Sequence, residues 1–142
     1  MTVLLLRHAW AGHRQEGTGD DRLRPLDERG RRQAEALAGL LSGYGVERVL
    51  TSPLVRCRRS VEPLADAVGL PVEERPELAE GASRAETLAL VAELGEETAV
   101  LCTHGDVVAA LLGEESEKGS TWVLDPGSDG GLSRREYLPP PV

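Results

Sequence analysis

A chain of 142 residues has the length of one domain, and 40% hydrophobic with 28% charged residues is the composition of a globular protein. A formal net charge of -8 argues against general nucleic-acid binding, and no apolar run approaches the roughly 20 residues a bilayer requires. With no Phe and aromatics at 3%, the core has to be assembled from Leu, Val and Ala.

Residues 3–6, Val-Leu-Leu-Leu, are too few for a helix and read as a buried strand. Residues 11–26 carry Gly12, Gly17, Gly19 and Pro25 and read as loop. Asp27 stands where a helix cap belongs. Ala34, Leu37, Leu40 and Leu41 follow at helical spacing to an end near Ser42, with Gly43 and Gly45 as stop signals. Residues 48–51 form a second strand. Ser52-Pro53 has the form of a helix start, with Ser as cap and Pro at the first helical position. Leu54, Cys57, Val61, Leu64, Ala65 and Val68 mark its buried stripe and Gly69 its end. A short strand is expected over residues 71–74. Ser83-Arg84-Ala85-Glu86 has the pattern of a capping box and opens a helix through Leu88, Val91 and Leu94 to Gly95.

Residues 99–102 read as the third clear strand. A helix carrying Val107, Val108, Leu111 and Leu112 ends at Gly113, and residues 120–124 and 132–138 read as further strands, the last at a sheet edge. Apolar strands alternating with helices predict an α/β fold, a three-layer α/β/α sandwich with a mainly parallel sheet. A single domain is expected over residues 1–138, with a frayed tail at 139–142. Residues 3–6 are too short for the core of a signal peptide and no basic stretch precedes them, so a cytoplasmic protein is expected. No long apolar face is left over, which points to a monomer. Cys57 and Cys102 show neither metal nor redox spacing and are expected as small buried hydrophobes.

Charge divides the chain. Residues 1–60 carry a net +4 and residues 61–142 a net -12, and Lys118 is the only lysine among the cationic residues. The candidate chemistry lies along the edge that the strands share. Arg7 and His8 follow the first strand. Thr51 and Ser52 follow the second, with Arg56 in the next helix's first turn, and Thr103 and His104 follow the strand at 99–102. The carboxyl ends of parallel strands are where α/β sheets bind ligands. An imidazole can serve there as nucleophile or base, guanidinium groups hold phosphate oxygens in pairs, and helix N-termini add N–H donors. His8, His13 and His104 lack the His-x-x-x-His spacing of a helix-borne zinc site, and Arg7 would repel a cation. No metal and no cofactor are expected.

These residues carry a family resemblance. Leu4-Leu5-Leu6-Arg7-His8-Ala9 resembles the Arg-His-Gly signature of the histidine phosphatase superfamily, with its phosphoglycerate-mutase-like fold. Thr51-Ser52-Pro53-Leu54-Val55-Arg56 and Cys102-Thr103-His104-Gly105 look like its second and third motifs. The short length and Asp21-Arg22-Leu23-Arg24-Pro25-Leu26 are similar to the small phosphohistidine-phosphatase-like branch. The chain also resembles a domain that follows a Nudix hydrolase domain in some proteins, which keeps nucleotide substrates open.

The resemblance implies that His8 becomes phosphohistidine, with its other ring nitrogen held by a backbone carbonyl. It further implies that Arg7, Arg56 and His104 grip the phosphoryl oxygens. Leu78-Ala79-Glu80 matches the family's acid context, so Glu80 is the first choice of proton donor, ahead of Glu77 and Asp106. Two departures stand out: Ala9 replaces the usual Gly, and Arg14 stands where many members carry a phosphate-contacting Asn. His13 is expected at the pocket rim. Arg22 and Arg24 either line the mouth or pair with Asp20, Asp21 and Asp27.

The implied activity is metal-independent hydrolysis of a phosphomonoester or phosphohistidine, on a phosphorylated small molecule, a nucleotide or a phosphohistidine protein. A non-enzymatic phosphate-binding regulatory module is the alternative. A phosphoglycerate-type mutase is disfavoured, because a helix and a strand use most of the stretch between Arg56 and His104.

Overall fold

The computed structural model describes residues 1–12 and 19–142. Its elements run β1 (Val3–Arg7), α1 (Glu28–Leu41), β2 (Arg48–Thr51), α2 (Val55–Val68), β3 (Val72–Glu74), α3 (Arg84–Glu93), β4 (Ala99–Thr103), α4 (Gly105–Leu112), β5 (Thr121–Pro126) and β6 (Leu132–Leu138). The strands form one sheet in the order β3-β2-β4-β1-β5-β6. The first four are mutually parallel, and β5 and β6 are added antiparallel, with β6 at the edge. The chain leaves β1 for β2 and β3, then returns to place β4 between β2 and β1, so β1 and β4 end side by side.

Both faces of the sheet are covered, and the apolar runs follow from that. Leu4, Leu6, Val49, Val100 and Cys102 pack with Leu37 and Leu41 of α1 and Val61 and Leu64 of α2. Val3, Leu5, Leu50, Ala99 and Leu101 pack with Leu90 of α3 and Val107 and Val108 of α4. Strands enclosed on two faces need apolar side chains at every position rather than at alternate ones. The result is the expected three-layer sandwich.

Local signals and structure agree closely. The Asp27 carboxylate accepts from Gly30 N at 2.8 Å to cap α1, and both halves of the Ser83–Glu86 capping box are formed. Gly69 and Gly113 end their helices at φ +70° and +77°. Three expectations are corrected. α2 begins at Val55 with Leu54 as its cap residue, not at Ser52-Pro53. Ser52 still continues the sheet, its N–H donating to Cys102 O at 2.9 Å, and its hydroxyl engages His104. Leu40 is 39% exposed; the inner face of α1 is Gly30, Gln33, Ala34, Leu37 and Leu41. The stretch before α1 includes a 3-10 turn, Asp21–Leu23, and another 3-10 turn, Pro76–Leu78, precedes α3. Among the described residues no helix is long and apolar enough to cross a membrane.

Candidate active site

The backbone after β1 is stitched to its surroundings before any side chain acts. His8 N donates to Thr103 O at 3.0 Å, and Gly119 N donates to both Arg7 O and His8 O at 3.0 Å. Ala9 is wholly buried and donates its N–H to Ser60 Oγ at 2.9 Å, while that hydroxyl donates to Arg56 O at 2.7 Å. Ser60, one helical turn beyond Arg56, therefore links the His8 segment to the helix that carries the second arginine. Ala9 has no positive φ, so the departure from Gly carries no backbone strain. The loop then lies on α1 so closely that a Cβ at Gly30 would sit 1.9 Å from Trp10 O.

His8 is 6% exposed, and its Nδ1 lies 2.8 Å from Ala9 O. A carbonyl can only accept, so Nδ1 carries the proton and Nε2 keeps its lone pair. Burial pushes the His8 pKa down to about 3. The charges of His104, Arg56 and Arg7 add to that, and the Ala9 carbonyl offsets part of it. The imidazole is thus neutral at physiological pH. His104, the residue that caps α4, faces it with ring centroids 5.4 Å apart. His104 Nε2 shares a 2.8 Å hydrogen bond with Ser52 Oγ and lies 3.4 Å from Cys57 Sγ. Cys57 is buried as expected, but against the second histidine rather than in a purely apolar setting.

The two arginines are held from opposite sides. Arg56 is 1% exposed. It donates to Asp21 O and to Glu80 Oε1, each at 2.9 Å, and lies 3.2 Å from Asp21 Oδ2. Arg7 Nη1 donates to Ser116 O, and its guanidinium lies against α4, where a Cβ on Gly105 would come within 2.8 Å of Cζ. Gly105 is therefore required by contact with Arg7, not by its own φ. Arg7 Nε and Arg56 Nε are both buried, with no hydrogen-bond partner among the described residues. A buried N–H left unpaired costs free energy comparable to a lost hydrogen bond, and the two residues that carry these donors line one cavity.

That cavity encloses about 610 Å³. Arg7, His8, Arg56 and His104 line it, and so does Glu80. The other acid candidates separate. Asp106 also lines the cavity, with Oδ2 accepting from Gly81 N at 2.8 Å. Glu77 is paired with Arg75 at 2.7 Å and is not part of the lining. Arg24 both borders the cavity and pairs with Asp21 at 3.0 Å, whereas Arg22 pairs with Asp20 at 2.7 Å. His13 and Arg14 lie outside the described residues. Sequence reasoning missed Ser60, Lys118 and Trp10. Ser60 had a usable signal, its position four residues after Arg56. Trp10 stands two residues after His8 but belongs to no motif, and Lys118 comes from a segment joined to the site only by folding.

The sequence profile of the histidine phosphatase superfamily (branch 1) matches residues 3–90. The chain belongs to this superfamily. An 8-oxo-(d)GTP phosphatase of Mycolicibacterium smegmatis is 40% identical over 157 aligned positions, covering 99% of this chain and 48% of the relative. The phosphohistidine phosphatase SixA of Escherichia coli is 35% identical over 82 residues, 55% of this chain and 49% of the relative. The chain thus spans about half the length of these two relatives. Among solved structures, a protein histidine phosphatase SixA complexed with tungstate superposes with a TM-score of 0.83 at 26% identity, covering 99% of this chain and 97% of that one. The phosphoglycerate-mutase-like α/β fold implied by the motifs is the fold observed.

Proposed function

We propose that this histidine phosphatase domain hydrolyses phosphorylated substrates through a phosphohistidine formed on His8, with no metal involved. One observation carries the proposal. A neutral imidazole, its Nδ1 proton committed to Ala9 O, shares a cavity with the guanidinium groups of partly buried Arg7 and fully buried Arg56. Such donors suit the oxygens of a phosphoryl group, and positioning with charge stabilisation does most of the work in phosphoryl transfer.

In the proposed cycle His8 Nε2 attacks phosphorus as the bond to the leaving oxygen breaks. Arg7, Arg56 and His104 hold the remaining oxygens. Glu80 supplies the leaving oxygen with its proton and then takes one from the water that cleaves phosphohistidine. Family membership, the names of the two relatives and the SixA-like structure support hydrolysis of a phosphoester or phosphoramidate. They also support nucleotides and phosphohistidine proteins as substrate candidates.

The test is phosphate release from an aryl phosphate in excess chelator. Wild type is expected to turn over and His8→Ala to lose about a thousandfold or more with its melting temperature kept. Activity that needs a divalent metal or survives His8→Ala would refute this mechanism. Phosphate binding without any turnover would instead mark a regulatory module.

A further inference from the structure

We infer that the cavity contains a second anion subsite, built on Lys118 with Arg24 beside it, that favours substrates whose leaving group is itself anionic. Its role in turnover rests on the phosphatase reading; its binding of anions does not.

Lys118 is the chain's only lysine, and it borders the same cavity as His8. Its position is set from several directions. Gly119, the next residue, is clamped to the carbonyls of Arg7 and His8, and Gln33 Nε2 donates to Lys118 O at 3.4 Å. The Lys118 ammonium rests 4.2 Å from the centroid of the Trp10 ring, and Arg29 Cζ lies 4.5 Å from the same centroid. Such an aromatic contact fixes a cation without neutralising it.

The surroundings are predominantly basic. Arg7 and Arg24 act on Lys118 in the same direction as burial, which lowers its pKa, and Asp27 opposes them. Asp27 already accepts from Gly30 N and Gly12 N, at 2.8 and 3.1 Å. Of the three lining carboxylates, Glu80 and Asp106 are tied to Arg56 and to Gly81 N, and Glu115 acts on Arg7.

A phosphoryl group is already provided for by Arg7, Arg56 and His104. A further ammonium, partly desolvated beside two guanidinium groups, is costly to hold unless an anion joins it. The chemistry that satisfies it is a second anionic group on the leaving-group side. That group is either the next phosphate of a phosphoanhydride, as in a nucleoside diphosphate, or the carboxylate of a phosphorylated hydroxy acid. In either case the Nε2–P bond to His8 forms, the P–O bond to the leaving group breaks, and the leaving group departs with its own anion held by Lys118.

Binding tests the subsite without turnover. On the His8→Ala protein, calorimetry would compare inorganic phosphate, inorganic pyrophosphate and phosphoglycolate. At least one doubly anionic ligand should bind about tenfold or more tighter than phosphate, the usual scale of a charge-assisted contact. Lys118→Met, which keeps an unbranched chain over Trp10, should remove most of that advantage, and Lys118→Arg should retain it. Preference for pyrophosphate alone assigns a phosphate leaving group; preference for phosphoglycolate alone assigns a carboxylate. Equal affinity for all three ligands, or an equal loss for all three in Lys118→Met, overturns the proposal. Turnover separates the two claims. Ligand discrimination without catalysis leaves the subsite standing and the phosphatase reading refuted. Hydrolysis of an aryl phosphate without discrimination does the reverse.

Discussion

Arg48 and Arg75 are bound quite differently from Arg7 and Arg56. Arg48 gives Nε and Nη2 to Glu73, at 3.1 and 2.7 Å, and Nη1 to Glu97 at 3.3 Å. Arg75 gives two nitrogens to Glu77 and a third to Glu93. Both are partly exposed and spend their donors on carboxylates. Arg7 and Arg56 lie at a cavity, bound partly by main-chain carbonyls, and each leaves Nε–H buried without a partner. In an arginine-rich chain the count of guanidinium groups therefore says little. What sets Arg7 and Arg56 apart is a donor left unspent among the described residues together with a place on the cavity that His8 shares, which an oxyanion can enter.

The contrast can be broken most directly by exchanging the fates of the two classes. Arg56→Met should lower kcat/KM by about a hundredfold or more. Its unfolding free energy should stay within about 1 kcal/mol of wild type, because its carboxylate partners Asp21 and Glu80 are each partly exposed and return to water when the guanidinium is removed. Arg48→Met should do the opposite: kcat/KM within about twofold of wild type, and up to about 1 kcal/mol of stability lost with the paired contacts. Steady-state kinetics and urea unfolding of both variants decide the matter. If the two behave alike, unspent donors do not distinguish function from structure here.

A smaller effect is expected where only the position of a guanidinium is disturbed. In Gly105→Ala the new methyl would lie 2.8 Å from Arg7 Cζ, and no positive φ stands in its way. The Arg7 guanidinium has to shift, and kcat/KM is expected to fall about tenfold with stability nearly kept. An undiminished rate would show that Arg7 does not need its observed place.

His8 adds a pH test. Its pKa falls from an ordinary 6.5 to about 3 on folding, so between these values the unfolded chain binds the extra proton. Stability must then decline as pH falls below about 6.5, by at most about 1.4 kcal/mol per pH unit, and His8 contributes no slope above it. His8→Gln should flatten this part of the curve in urea unfolding across pH 4–7. An unchanged slope would mean that His8 is hydrated enough to protonate in the folded state. For the same reason the His8 imidazole should remain neutral in mildly acidic assays.

The smallest expected change is Gly39→Ala on the exposed face of α1, where a Cβ meets nothing within 4 Å. It should stabilise the domain by about 0.5–1 kcal/mol without altering activity. It serves as the control for Gly105→Ala.

Much of this was legible before folding. Residues 48–51 and 132–138 are strands over the expected spans, and Asp27 and Ser83 cap the helices they were expected to cap. Strand burial, capping and glycine stops are local effects, written in adjacent residues. The Ser52-Pro53 start missed by two residues: Ser52 Oγ still accepts from Leu54 N at 3.3 Å while it engages His104, and the helix begins at Val55. Sequence context ranked Glu80 ahead of Glu77; in the fold Arg75 engages Glu77 and Arg56 engages Glu80.

The sequence by itself determined the layers, the parallel strands and the placement of Arg7, His8, Arg56 and His104 at carboxyl ends, because periodicity and motif spacing are one-dimensional. Only the tertiary structure decided which donors remain unpaired, how deeply His8 is desolvated, and that Lys118 on Trp10 joins the same cavity. Those properties depend on desolvation and on partners far apart in the chain, such as Gly119 with His8 and Gly105 with Arg7. No local pattern encodes distances of that kind.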